Sequence, residues 1–497
     1  MPDAGIWINT QRPEWNDANN ALAGPGVSVV TAAYLIGYLD HLTALLGDRP
    51  VRVRRDLRRL LGELADVLSR HDARSSGVDG RLRRAMLVDL GLAGERYRRA
   101  VYGDGPLDLE PLPADELGRF LAAGAAWLNR SVRAARRPDG LFHSYYVLEV
   151  GDSEATVREL PLMLEGQVAL LASGLLSAEE SVELATGLRN SALYRADQHS
   201  YLLYPDRELP GFLARNTVPA DVVEACAAAR AALADPRRTL LVRDEGGGVH
   251  FANGLRNARV LAERIGQAVA DGVLEQDPSC LLDAYEQTFH HALFTGRSGS
   301  FFAYEGLGSV YWHMVSKLAL AVLETGRRAG ASASDARLRD AFLDVRAGLG
   351  HAKTPYAFGA FPSEAYSHTP KHAGAQQPGM TGQVKEDILI RLTELGVSFD
   401  AGEVRLAPEL VEASEWLEAP AVLRFVDGAG RWDELEVPAR HLAFTLCGVP
   451  VVYRRGGSRV RVTLADGSDR VAGAGLGPEL STEILRRTGR VAAVRVE

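Results

Sequence analysis

The hydrophobic period changes once along this chain, near Gly396, and that change sets what the chain can fold into. From Val27 to about Leu395 apolar residues recur at helical spacing. Val29, Val30, Ala33, Tyr34, Ile36, Leu39 and Leu42 fill nearly every face of the first helix, which predicts a helix buried among others. Arg55–Arg70 and Arg81–Val101 are amphipathic. Further helices are read at Ala114–Arg136, Leu160–Leu176, Ala178–Asn190, Pro219–Ala234, Asn257–Asp271, Ser309–Arg328, Ser334–Leu349 and Gln383–Leu395. Several start after Ser, Asp or Pro and stop at Gly, as capping chemistry favours. Beyond Gly396 the pattern becomes short and alternating, at Ala421–Val426, Glu434–Val437, Leu442–Leu446, Val449–Tyr453 and Val460–Leu464. Asp-Gly, Gly-Gly and Gly-Ser turns divide these segments, which predicts a small antiparallel β-sandwich. The expected fold is therefore mainly α: a helical toroid over residues 1–415 with long functional loops, followed by a C-terminal β-sandwich over residues 416–497.

A chain of 497 residues is too long for one ordinary core. The net charge of -8, with no long Lys/Arg block, argues against a nucleic-acid surface. The longest apolar runs, such as Leu318–Leu323, are too short to cross a bilayer, and Met1–Trp7 lacks the basic-then-apolar order of a signal peptide. Cys226, Cys280 and Cys447 are far apart, with no CxxC pair and no disulfide framework, so a reducing, cytoplasmic setting is expected. Neither membrane nor nucleic acid is an expected partner.

The chemistry is concentrated in one early segment and in the loops between helices. Glu14-Trp15-Asn16-Asp17-Ala18-Asn19-Asn20 packs two carboxylates, three amides and an indole between Pro13 and the turn Ala23–Gly26. A carboxylic acid kept protonated beside an indole suits proton delivery to a glycosidic oxygen. Asp17 is thus a candidate general acid, with Glu14, Trp15, Asn16 and Asn20 as candidate sugar contacts; an Asx-rich turn with Asp17 as a helix cap is the alternative. Around Arg297-Ser298, flanking glycines let amides and a guanidinium converge on an oxyanion. Tyr304 and Glu305 follow, Glu305 as a candidate second carboxylate. The alternative is a Gly-rich loop over a buried helix, with Tyr311 and His313 in the core. The stretch Tyr366–Gln383 holds His368, His372 and, at a predicted helix start, Thr381-Gly382, an arrangement suited to an anion. Thr369-Pro370 breaks helical spacing between the two histidines and no third ligand stands near, so no metal is expected. Arg195, Asp197 and Gln198 lie among tyrosines and suit sugar stacking with hydroxyl recognition, or else form a structural Tyr-rich loop.

At these residues the chain resembles the cellobiose-phosphorylase group of glycoside phosphorylases. The resemblance is carried by Glu14-Trp15-Asn16-Asp17, then Asn20 and Gly24-Pro25-Gly26-Val27-Ser28, where the family has Asp-Trp-Asn-Asp, an Asn and a Gly-rich turn before a buried helix. Thr381-Gly382 looks like the family's Thr-Gly pair at its phosphate site, and Leu442–Tyr453 looks like part of its C-terminal jelly roll. The resemblance implies an (α/α)6 barrel and inversion at the anomeric carbon of a β-glucoside or oligosaccharide. It implies Asp17 as general acid, inorganic phosphate as nucleophile and no cofactor. Thr381, Gly382 and a histidine, for which His313, His368 and His372 are candidates, would hold the phosphate. Glu14 departs from the family's Asp, residues 50 to 150 look inserted, and Ser367–Gly382 is more elaborate than a simple Thr-Gly segment. An inverting hydrolase with Glu305 as base, and a non-catalytic carbohydrate-binding or assembly piece, are the competing readings. The family places a β-sandwich, a linker and the first barrel helices before the Asp17 motif. The chain is therefore expected to be the C-terminal piece of a larger protein, its barrel incomplete at the N-terminus, with a homodimer or an N-terminal segment as partner.

Overall fold

The computed structural model describes all residues except 9–23, 48, 72–76, 104–107, 207–211, 238, 275–277, 291–309, 330–332, 351–352, 355–367, 370–383, 409 and 474; for 212, 213, 368, 369 and 384 it describes the backbone alone. Two compact units result, Met1–Thr381 and Gly382–Glu497.

The first unit opens with β1 (Ile6–Trp7), β2 (Gly26–Ser28) and α1 (Val29–Leu46). Then come β3 (Val51–Arg54), α2 (Arg55–Arg70), α3 (Gly80–Val101), β4 (Leu109–Leu112) and α4 (Ala114–Ala134). They are followed by β5 (Tyr145–Val150), β6 (Ala155–Glu159), α5 (Leu164–Ser173), α6 (Ala178–Arg189) and the hairpin β7 (Tyr194–Arg195) and β8 (Ser200–Tyr201). A further block holds α7 (Ala220–Ala225), α8 (Ala227–Ala234), β9 (Leu241–Arg243), β10 (Val249–Phe251), α9 (Ala258–Ala270) and α10 (Ser279–Phe289). The unit finishes with β11 (Val310–Tyr311), α11 (Trp312–Ala329), α12 (Ala333–Ala347) and β12 (His368–Thr369).

Two rows of helices form its body. In one row α5 lies between α1 and α11; α4 packs behind α1, and α12 and α6 pack behind α11. α5 and α11 run parallel. The Leu171 carbonyl, late in α5, accepts from Thr325 Oγ1 at 2.9 Å and from Arg328 Nη2 at 2.7 Å, late in α11. At the other end Glu165 of α5 lies within electrostatic reach of Lys317 of α11. α5 buries Leu164, Val168, Ala169, Leu170 and Leu171, as a helix in the middle of a row must, and stops at Gly174 in the left-handed region. Ser28 Oγ caps α1 by accepting from Thr31 N, and Ser177 with Glu180 forms a capping box on α6. The region expected as a toroid is largely helical, and among the described residues it forms no closed barrel.

Two expectations need correction here. Tyr145–Val150, between the helices expected at Ala114–Arg136 and Leu160–Leu176 and given no element in the sequence reading, is a strand of the four-stranded antiparallel sheet β1-β2-β5-β6. α1 is long and apolar enough, by length and composition, to cross a membrane, with hydropathy 1.5; counting unbroken apolar runs hides this because Thr31, Gly37 and Asp40 interrupt it. In this fold Val29, Val30, Ala32, Ala33 and Ile36 of α1 are buried.

The block from Val218 to Tyr285 has its own hydrophobic core, which includes Leu241, Phe251, Leu261, Leu281 and Tyr285. Cys226 and Cys280 are joined by a disulfide with Cα atoms 5.7 Å apart, which corrects the expectation of unpaired cysteines. Their separation of 54 residues conceals a proximity that the packing of α7, α8 and α10 creates. The helix expected over Pro219–Ala234 is divided at Cys226, whose backbone is extended and whose Sγ accepts from Ala229 N at the start of α8.

The second unit contains α13 (Val384–Glu394), β13 (Val397–Asp400), β14 (Glu403–Leu406), β15 (Ala421–Val426), β16 (Trp432–Val437), β17 (His441–Leu446) and β18 (Val449–Arg454). It continues through β19 (Val460–Leu464), β20 (Asp469–Ala472), α14 (Gly477–Leu485) and β21 (Val491–Val496). Five strands form one sheet in the order β17-β18-β21-β19-β20, and β18 and β21 are parallel, with Val451 opposite Val494. A mixed sheet with a helix on it replaces the expected antiparallel sandwich. Alternation shows which residues face the core but not which way strands run; a parallel pair needs a crossover, and the chain between β18 and β21 includes α14. Ser481 Oγ on α14 accepts from Val404 N at 2.9 Å, and the buried Tyr453 donates to the Leu395 carbonyl at 2.8 Å.

Candidate functional site

The site is best built from its anchors, because most of the residues singled out in the sequence sit between them. Ile8 N donates to the Gly26 carbonyl at 2.7 Å, Gly24 N donates to the Ile8 carbonyl at 2.8 Å, and Trp7 Nε1 donates to the Gly24 carbonyl at 2.7 Å. The two ends of the segment carrying Glu14, Trp15, Asn16, Asp17 and Asn20 are thereby held together; the five residues themselves lie outside the described residues. β2 then pairs with β5, Ser28 opposite Tyr145, and Val29 N donates to the Ser144 carbonyl at 3.0 Å.

Ser144 is buried and docks the start of α5. Its Oγ accepts from Gly166 N at 3.0 Å. A Cβ on residue 166 would lie 2.3 Å from that oxygen, so only glycine permits this approach. Gln167 completes the joint, accepting from Phe142 N at 2.9 Å and donating to the Phe142 carbonyl at 2.7 Å. On the opposite side Leu164 N donates to the Leu203 carbonyl at 3.0 Å. Leu202 bridges to Val310 of β11, and β11 pairs with β12, Tyr311 opposite His368. The segments carrying Arg297, Ser298, Tyr304 and Glu305, and His372, Thr381 and Gly382, adjoin β11 and β12 in the chain and also lie outside the described residues. One hydrogen-bonded relay, β2–β5–α5–Leu203–β11–β12, thus joins the attachment points of three of the four sequence clusters.

In the middle of that relay stands Glu165, which the sequence reading missed. It is the second residue of α5 and is partly buried. Tyr145 Oη donates to Glu165 Oε2 at 2.7 Å. Burial raises the carboxyl above its ordinary pKa, while the Tyr145 hydrogen bond and the Lys317 ammonium pull it back down. The Tyr145 phenol is itself pushed well up, by burial and by the carboxylate, with Tyr204 and Tyr34 also near it. A signal was present in the sequence: Glu165 is the one acidic residue in a helix that is otherwise nearly all buried.

The fourth cluster is described directly. Arg195 is buried and makes a bidentate pair with the exposed Asp197, Nε to Oδ1 at 2.8 Å and Nη2 to Oδ2 at 2.9 Å. Lys353 Nζ donates to the Gln198 carbonyl and lies 5.1 Å from the centre of the fully buried Trp312 ring. Burial lowers the Lys353 ammonium to about 8 against the opposing pull of Asp197. Gln198 Oε1 and Ser200 Oγ are buried and have no hydrogen-bond partner among the described residues. His313, one residue after Trp312, has Nδ1 3.3 Å from Tyr311 Oη. The structure therefore brings Arg195, Asp197 and Gln198 together with Lys353 and Trp312. This hairpin leads through β8 into Leu202 and Leu203 of the relay. Among the described residues, no group of three or more His, Cys, Asp or Glu side chains gathers as a metal site.

The separate core around Cys226 and Cys280 lies in the chain between Gln198 and Arg297, so it interrupts the sequence that builds the relay. Residues 209–292 match the family model described as GH149 phosphorylase insertion domain 2. No curated protein matches the chain. The match does not single out the cellobiose-phosphorylase group. The chain is thus similar, over residues 209–292, to an insertion domain of GH149 phosphorylases, and that likeness supports a function related to glycoside phosphorylases.

Proposed function

We propose that the protein is a glycoside phosphorylase that cleaves a β-glucosidic bond with inversion, with Asp17 as general acid and inorganic phosphate as nucleophile. The observation that carries this reading is the match of residues 209–292 to a phosphorylase insertion domain. The relay that joins the attachment points of the Asp17, Arg297–Glu305 and Thr381 segments supports it. In this reading Glu14, Trp15, Asn16, Asn20, Arg195, Asp197, Gln198 and Tyr304 contact sugar. Arg297, Ser298, Thr381 and Gly382, with His313, His368 or His372, hold phosphate. Direct attack by phosphate on the anomeric carbon, as Asp17 protonates the leaving oxygen, needs no cofactor.

The test is phosphate dependence. The purified chain, given β-linked glucose disaccharides, should release a sugar 1-phosphate only when phosphate is added. Asp17→Asn should lower that rate by about 10²–10⁴-fold, the usual contribution of a general acid. Release of free sugar without phosphate would replace this reading by hydrolysis with Glu305 as base. Unchanged turnover in Asp17→Asn would remove Asp17 from the chemistry.

A further inference from the structure

We propose that Glu165 is a substrate-contacting carboxylate that accepts a hydroxyl of the bound sugar, an inference that rests on the glycoside reading above. Its position comes first. Glu165 stands in the first turn of α5, with β5 joined on one side through Ser144 and Leu203 on the other, at the centre of the relay. Among the described residues Tyr145 of β5 and Lys317 of α11 act on Glu165, and Tyr34 of α1 and Tyr204 lie near the Tyr145 phenol. Tyr145 occupies Oε2, whereas Oε1 accepts from no protein donor among the described residues. A carboxylate oxygen has lone pairs to spare, and a sugar hydroxyl is the complementary donor.

A structural role alone explains the residue less well. Glutamine would accept the same phenol hydrogen bond without the cost of holding a charge in a partly buried place. What a carboxylate adds is a charge-assisted bond to an incoming donor, and the Lys317 ammonium and the N-terminus of α5 hold the charge there until one arrives. Glu165 itself is only partly buried, so the carboxylate can meet a hydroxyl, whereas the Tyr145 phenol that holds it is buried.

The experiment separates this proposal from the general-acid reading by measuring binding instead of turnover. Asp17→Asn is titrated by calorimetry with cellobiose, laminaribiose, sophorose and gentiobiose, and the best ligand is carried forward. Asp17→Asn/Glu165→Gln should bind that sugar at least about tenfold more weakly, as loss of a charge-assisted hydrogen bond implies. Equal affinity overturns the role of Glu165 and leaves the glycoside reading standing. No binding of any of the four sugars to Asp17→Asn overturns both. The single variant supplies a second readout even where the double variant fails to fold. Its affinity should fall toward acid pH as Glu165 takes up a proton, and a flat profile overturns the proposal.

Discussion

At the scale of single residues, His250 shows how hydrogen-bond chemistry assigns a protonation state. Its Nδ1 lies 2.6 Å from the Asn216 carbonyl and its Nε2 2.8 Å from Asp244 Oδ2. A carbonyl and a carboxylate only accept, so the imidazolium, with hydrogen on both ring nitrogens, is the form that satisfies both contacts at once. The Asp244 hydrogen bond raises the His250 pKa, as does the Asn216 carbonyl, and burial opposes them. Asp244 is held below the usual carboxylate range by His250 and the Gly248 amide. The contribution of His250 to stability is complete below the ordinary histidine pKa and is lost as pH rises through the raised one. That of Asp244 is present above the ordinary carboxylate pKa and is lost as pH falls through the lowered one. NMR titration of the intact chain should place His250 above about 6.5, and Asp244→Asn should lower the value. A His250 value at or below 6.5 would contradict the assignment. The sequence held no hint of the Asn216 contact, because it spans 34 residues. Arg195 and Asp197 were legible as a polar pair, but burial shows that the guanidinium is held by the carboxylate beside it.

Elements were read well where local chemistry marks their ends and poorly where packing decides. Ala178–Asn190 was expected and Ala178–Arg189 is found, because Ser177 and Glu180 mark its start in the sequence itself. Pro219–Ala234 was read as one helix, yet the chain turns at Cys226 to meet α10. The Cys226–Cys280 bond closes a separation of 54 residues, for which chain entropy alone suggests about 4 kcal/mol of stabilisation, an upper figure for most real bridges. Thiol titration of the denatured, unreduced chain should find one thiol, that of Cys447, rising to three after reduction. Three thiols before reduction would refute the bridge. Stable bridges belong mainly to oxidising compartments, so the same count on acid-quenched cells tests the cytoplasmic location expected from the sequence.

At the scale of the whole molecule, the cores around residues 218–285 and 395–496 share no residue. Separate cores unfold separately unless something couples them. Calorimetry should therefore resolve at least two transitions, and a reductant should lower the one belonging to the disulfide-bonded block. A single two-state transition, unmoved by reductant, would contradict this. Hydrophobic periodicity and capping by themselves determined that a helical region precedes a strand-rich one, and where most helices lie, because those signals act within a few residues. The sequence also singled out the segments around Asp17, Arg297 and Thr381 as candidates for the chemistry. Only the tertiary structure decided that their attachment points share one relay, that Glu165 stands at its centre, and that β18 and β21 run parallel. The physical reason is range. Periodicity records which face of an element is apolar, whereas a contact between Tyr145 and Glu165, or between Val451 and Val494 on separate strands, exists only after separate elements have packed.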